Sequence, residues 1–316
     1  MAQTNIKPKL ESSSTAQTPP NDRPELPPDT GSGDPTAVPS TTTPTDTASF
    51  DTVIQNTRKL DGLFTLYKND ETGELYLEVS PKQLNQNYLL SITLSRGIGE
   101  AGLLSGMPLG DVLFQFRRMR DRVQFVLPNL YLRNRPDDPM TRSGDRSFSE
   151  SILATLPIKA THPETGTILL NVSDLFIQQD ISGLTEVLPW ILGGSYAPNP
   201  DTSYFTDVDT FPMNVEVESV SGFSGSGGYL ETLPDSRSFS LGVHYSLSQL
   251  PPKSAYQPRL ADERVGYFIT AYQNLADDTN DDPFVRYVQR WHLEKQDPNA
   301  ELSPPKEPIV FWIENT

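Results

Sequence analysis

The sequence predicts a mostly β protein of antiparallel sheets and hairpins, with a few short helices and a disordered N-terminal tail. Three observations predict it. Short runs of β-branched, aromatic and leucine residues recur at turn spacing from about residue 60 onward. Several of these runs alternate apolar and polar residues, which is the period of a half-buried strand. Clusters rich in Gly, Asn, Asp and Pro separate them. Residues 1–49 share none of this: Pro, Ser and Thr dominate and aromatic residues are absent. Such a segment cannot bury enough apolar surface to offset its chain entropy, and its paired prolines at 19–20 and 27–28 favour extended backbone. It is read as a linker, with a proline-motif ligand or a glycosylated stalk as the other readings.

The elements follow in order. Residues 63–67 and 75–79 flank a turn from Asn69 to Gly73 and form a hairpin. Residues 88–94 form a third strand. Residues 112–116 and 123–127 flank a turn carrying Arg117, Arg118, Arg120 and Arg122, read as a solvated hairpin tip rather than an anion site. Residues 130–132 are expected to continue the sheet. Residues 152–160 and 167–171 bracket a turn around His162 and Gly166, and Ser173 is read as the cap of a short helix through Ile177. The Gly-, Pro- and Asp-rich stretch 183–211 is expected to be irregular loop. Residues 213–220 alternate Val215 and Val217 with Glu216 and Glu218, and residues 239–247 are the expected antiparallel partner. Residues 265–272 and 284–293 complete the strands, and no fixed-period repeat is visible. The expected division is a tail over 1–49, a small leading hairpin domain over 50–85, a main β-rich domain over 86–300, and a linker with one strand over 301–316.

Composition narrows the partners. A net charge of −16, from 41 acidic and 25 basic residues, disfavours nucleic acid and anionic membrane as general partners. The absence of cysteine removes disulfides, thiol catalysis and iron–sulfur clusters. No stretch approaches the length of a membrane span, and the first residues lack the apolar core of a signal peptide.

No residues form a catalytic motif. His162, His244 and His292 are far apart, and none begins an HExxH helix, which places two histidines one turn apart on one face. The stretches around Ser195 and Ser224 approach a nucleophile elbow but lack its final glycine, and the glycines at 225–228 lack the lysine of a phosphate loop. Asp277, Asp278, Asp281 and Asp282 concentrate oxygen ligands in one loop, with Asp207 and Asp209 as a further pair. Calcium takes six to eight such oxygens, but the loop has neither the glycine nor the bidentate glutamate of an EF-hand, so a solvated acidic turn is the competing reading.

The apolar run 308–313 lies between a proline pair at 304–305 and Glu314, and it reads as a strand opening a new structural unit. A lone strand cannot bury its own faces. The residues leading into it and through it, Arg290-Trp-His-Leu-Glu-Lys-Gln-Asp-Pro-Asn-Ala300 and then 303–316, resemble the corresponding junction in a bacterial family of large, metzincin-type zinc-dependent metalloproteases. So do Asp262-Glu-Arg-Val-Gly-Tyr-Phe268, His244-Tyr-Ser-Leu-Ser-Gln-Leu250 and Gly62-Leu-Phe-Thr-Leu-Tyr67. The resemblance covers residues 50 to 316. It implies that the terminal strand opens a zinc-dependent catalytic domain whose HExxH helix lies further on. This chain would then be a non-catalytic N-terminal part, inactive alone, that supports or regulates a peptidase domain or a separate protease polypeptide. The resemblance also implies an exported or periplasmic setting. The alternative is a stand-alone β-rich binding or structural protein that recognises a polypeptide or a glycan. Without partners, residues 308–316 are expected to be mobile or aggregation-prone.

Overall fold

A computed structural model of the chain describes residues 49–133, 146–227, 229–251, 256–275, 282–311 and 313. Among them the helices are α1 (Phe50–Val53), α2 (Ser173–Ile177) and α3 (Leu184–Leu192). The first strands are β1 (Arg58–Leu60), β2 (Thr65–Lys68), β3 (Leu75–Val79), β4 (Tyr88–Arg96), β5 (Pro108–Met119), β6 (Arg122–Leu127) and β7 (Leu132–Arg133). Then come β8 (Ser151–Thr161), β9 (Ile168–Asn171), β10 (Ser195–Pro198), β11 (Tyr204–Thr210), β12 (Asn214–Ser226), β13 (Ser238–Gln249), β14 (Ile269–Asn274) and β15 (Phe284–Val288).

Alternation in sequence becomes two faces in space. In β4, Tyr88, Leu90, Ile92 and Leu94 are buried, while the residues between them are only half-buried. Twelve strands join one sheet in the order β1-β2-β3-β9-β8-β6-β5-β4-β13-β12, with β10 and β11 both pairing with β12. Every pairing in it is antiparallel. The sheet is curled, because one core holds Phe64 and Leu66 from its first part and Val215, Leu241 and Tyr245 from its last. Register shifts occur in five ladders, for example at Ile92/Thr93 and Gly242/Val243. Such irregularities add twist and bend the strands, which lets a long sheet curve around its own apolar face.

Aromatic rings fill one part of that core. Phe114 and Phe125 stack at 4.6 Å, and Phe116 meets Phe64 edge-on at 5.7 Å. The helices fill another part: Phe176 of α2 packs against Tyr245 at 5.1 Å, and Leu184, Leu188 and Leu192 of α3 are buried in the same core. A smaller cluster joins Phe50, Tyr67, Tyr76, Ala160 and Leu169 beneath α1, whose N-terminus is capped by Ser49.

The two ends of the sheet meet at one point. Leu63 N donates to Phe211 O at 2.7 Å, and Thr210 Oγ1 donates to Phe64 O at 3.1 Å. Gly62 makes this approach possible. A Cβ there would lie 2.1 Å from Thr210 Oγ1 and 2.7 Å from Phe211 O.

Several expectations are corrected. Residues 183–211 are not irregular loop, because they contain α3, β10, a 3-10 turn at Pro200–Thr202 and β11. Leu184, Leu188 and Leu192 follow a helical period, and Asp180 holds the helix start by accepting from Leu184 N (3.2 Å) and Thr185 N (2.7 Å). Gly193 ends the helix at φ 67°. Pro189, inside the helix, hides this pattern from a propensity reading. Ser173 is the first residue of α2 rather than its cap, and its hydroxyl accepts from Leu75 N at 2.8 Å. Residues 132–133 do not extend the main sheet. As β7 they pair in parallel with β14, in a separate sheet ordered β15-β14-β7. β15 ends at Val288, so His292 is not on a strand. Residues 308–311 form no strand, having no ladder among the described residues, and Phe311 is 79% exposed. The hairpin of residues 50–85 pairs through β3 with β9 and shares the common core. The expected tail, up to residue 48, lies outside the described residues.

Gly62→Ala is expected to destabilise the protein by about 1–3 kcal/mol, because backbone at Phe211 must shift. Gly110→Ala, with nothing within 4 Å of the added carbon, is expected to leave stability nearly unchanged. Urea unfolding midpoints of the two variants check this, and equal midpoints would contradict the seam.

Candidate functional site

The residues singled out in the sequence are dispersed. Asp277, Asp278 and Asp281 lie outside the described residues. Asp282 accepts from Arg286 Nη1 (2.6 Å) and from Phe284 N (3.0 Å), and the guanidinium holds its carboxyl below the usual range. His162 Nδ1 accepts from the backbone of Glu164 and Thr165, and its ring stands edge-on to Phe50 at 5.4 Å. His292 lies 3.3 Å from Glu294 and edge-on to Tyr256. Ser195 and Ser224 sit within the paired strands β10 and β12, not at strand-to-helix turns. Among the described residues no three His, Asp or Glu side chains are arranged to hold a metal, so they do not fit a zinc centre.

His244 is the histidine with a built environment. It projects from β13 beside β12, and its Nε2 lies 2.8 Å from Glu216 Oε2. Glu216 Oε1 also accepts from Ser246 Oγ (2.7 Å) and from the Asn214 amide. The bond to Glu216 raises the His244 pKa above 6.5 against the opposing effect of burial. Burial pushes the Glu216 carboxyl up, but the bonds from His244, Asn214 and Ser246 outweigh it and its pKa is lowered. The carboxylate sits between hydroxyl and imidazole. Ser246 therefore donates its hydrogen bond to Glu216 and not to the His244 imidazole, so the trio lacks the hydroxyl-to-imidazole contact that activates a nucleophile in a triad. Register places Asp209 opposite Glu216, and Asp207 opposite Glu218, on β11. The result is an acidic, hydrogen-bonded face suited to holding charge.

The second candidate lies where the small sheet meets the main one. A cleft of about 450 Å³ opens between β5, the end of β6, the start of β8 and β14. Val112, Leu113, Leu127 and Leu130 give it apolar walls, while Asp111, Asn129, Ser149, Ser151 and Thr270 add polar groups, Asp111 the one acid among them. The Arg133 guanidinium lies 4.1 Å over the Tyr272 ring. Tyr272 in turn lies 6.2 Å from the Tyr287 ring on the paired strand β15. No sequence motif signals this cleft, because Arg133 and Tyr272 meet only through the parallel pairing of β7 with β14.

From the residue before β14 onward the chain presents apolar side chains outward. Phe268 is 86% exposed and Leu302 90%, and Trp291, Leu293, Val310 and Phe311 are exposed as well.

A family model described as a domain of unknown function (DUF5117) matches residues 106–296, more than half of the chain. The chain belongs to the DUF5117 family. No curated protein and no solved structure matches it. The DUF5117 span includes His244, Glu216 and every lining residue of the cleft, and it excludes β1 to β4. It is not a self-contained sheet, since β4 lies between β5 and β13, and β3 pairs with β9. Among the described residues no helix is long and apolar enough to cross a membrane.

The His244–Glu216 pair carries a pH dependence. With its folded pKa raised, His244 contributes stability fully below its ordinary 6.5 and loses it as pH rises through the folded value. Glu216, with a lowered folded pKa, contributes above its ordinary 4.5 and loses that as pH falls. The pair therefore stabilises most between these limits. Glu216→Gln is expected to lower the His244 midpoint in an NMR titration and to flatten stability between pH 6 and pH 9. An unmoved midpoint would show that Glu216 does not set it.

Proposed function

We propose that this chain is the non-catalytic N-terminal part of a metzincin-type, zinc-dependent metalloprotease-like protein, and that it supports a peptidase domain by packing against it. The observation that carries this reading is the set of exposed apolar side chains from the start of β14 onward. Large side chains from Phe268 to Ile313 face solvent there, while the core residues of the main sheet are nearly sealed. Where such groups gather into one patch on a monomer, another polypeptide usually covers them. The resemblance at residues 62–67, 244–250, 262–268, 290–300 and 303–316 to metzincin-type metalloproteases supplies the kind of partner. Peptide hydrolysis would then belong to the zinc-bound water and glutamate base of the partner, and this chain would shape or steady that partner. The cleft beside Arg133 favours the second reading, a β-rich module that binds polypeptide in its own right.

The purified chain is expected to cleave no fluorogenic peptide and to hold no stoichiometric zinc by elemental analysis. Mixed with the HExxH polypeptide of its host, it is expected to form a complex by size-exclusion chromatography. The double variant Phe268→Asp, Leu302→Asp is expected to weaken that complex at least tenfold with an unchanged melting temperature. Zinc-dependent cleavage by the chain alone, or a complex indifferent to the double variant, would sink the proposal.

A further inference from the structure

We propose that the cleft between the two sheets binds the free C-terminal carboxylate of an apolar peptide segment, with Arg133 as the residue that recognises it. This does not depend on the partner being a peptidase domain. It rests on the cleft, not on the exposed apolar side chains from the start of β14 onward.

Three observations meet there. The cleft has the size of a ligand site, about 450 Å³, and its walls are chiefly apolar with a few polar groups. Arg133 lines it, and no ion pair joins this guanidinium to a described carboxylate. Stacking on Tyr272 at 4.1 Å occupies one face of the guanidinium and leaves its N–H edge to donate. The Tyr287 ring, 6.2 Å from that of Tyr272, packs beside it.

The chemistry of the ligand follows. A planar fork of donors held on an aromatic shelf suits a carboxylate taken in two parallel bonds. Val112, Leu113, Leu127 and Leu130 would take apolar side chains, and the Ser151 hydroxyl, which makes no hydrogen bond with a described residue, can meet a peptide group. A peptide end supplies all three features at once. A fatty acid supplies the carboxylate and the apolar body but leaves the polar wall groups unmatched. A carboxylate inside the chain lacks the terminal geometry that lets the segment stop against Arg133.

The test uses the full chain and N-acetyl-Leu-Leu-Phe in two forms, the free acid and the C-terminal amide, followed by NMR titration. Decanoate is the third probe. The acid is expected to bind at least tenfold tighter than the amide and tighter than decanoate, with shifts at Val112 and Ala271. Arg133→Gln is expected to remove the difference between acid and amide, and Arg133→Lys to restore part of it. Ser151→Trp, a substitution at an exposed strand end that fills the cleft, is expected to abolish binding of both forms while the melting temperature holds. Equal binding of acid and amide, no binding at millimolar peptide, or an acid-to-amide ratio unchanged in Arg133→Gln would each overturn the proposal. Decanoate binding tighter than the peptide acid would overturn the peptide assignment.

Discussion

The constraint on which the structure depends is that one sheet must bury a single face against itself. Twelve strands laid flat would leave a broad apolar surface in water. Here the bulged ladders bend the sheet until Phe64 and Leu66 share a core with Val215 and Tyr245. Curvature alone leaves room inside, and α2 and α3 fill it with Phe176, Leu184, Leu188 and Leu192. The seam at Gly62, Leu63, Thr210 and Phe211 holds the curve closed at one end. Charges line the edges on either side of it, with Arg58 and Lys59 on β1 and Asp207 and Asp209 on β11. Edge charges of this kind discourage pairing with another chain.

Much of this was legible in the sequence where the information is local. Two-residue alternation marked β12 and β13, and it placed Glu216 and Glu218 on the face away from the core. Hairpins with clear turns, such as β2–β3 and β5–β6, were legible for the same reason. Long-range placement was not. Nothing near Tyr88 announces that β4 lies between β5 and β13, because that choice is made by packing over the whole chain. Helix α3 was hidden by Pro189, whose missing N–H matters less than the leucine stripe the helix buries. The run 308–313 reads as a strand because its residues suit one. Conformation there depends on a pairing edge, and no described strand supplies it.

The candidate sites divide along the same line. His244 and Glu216 could be seen as residues of adjacent strands, but their pairing is a matter of register. The cleft beside Arg133 was invisible, since it is assembled from β5, β6, β8 and β14 and has no local signature. His244 and Glu216 use the polar side of β structure, where side chains project without being needed by the core. That leaves them open to function at little cost in stability.

The position of β4 also constrains how the protein is made. Its partner β5 follows closely, but β13, its other neighbour, is synthesised much later. Until then the nascent sheet carries an open edge with Leu90, Ile92 and Leu94 beside it. Pairings between such distant segments give a high contact order, and sheets of that kind fold slowly. On the ribosome, the half-built chain is therefore a natural client for a holding chaperone until β13 emerges.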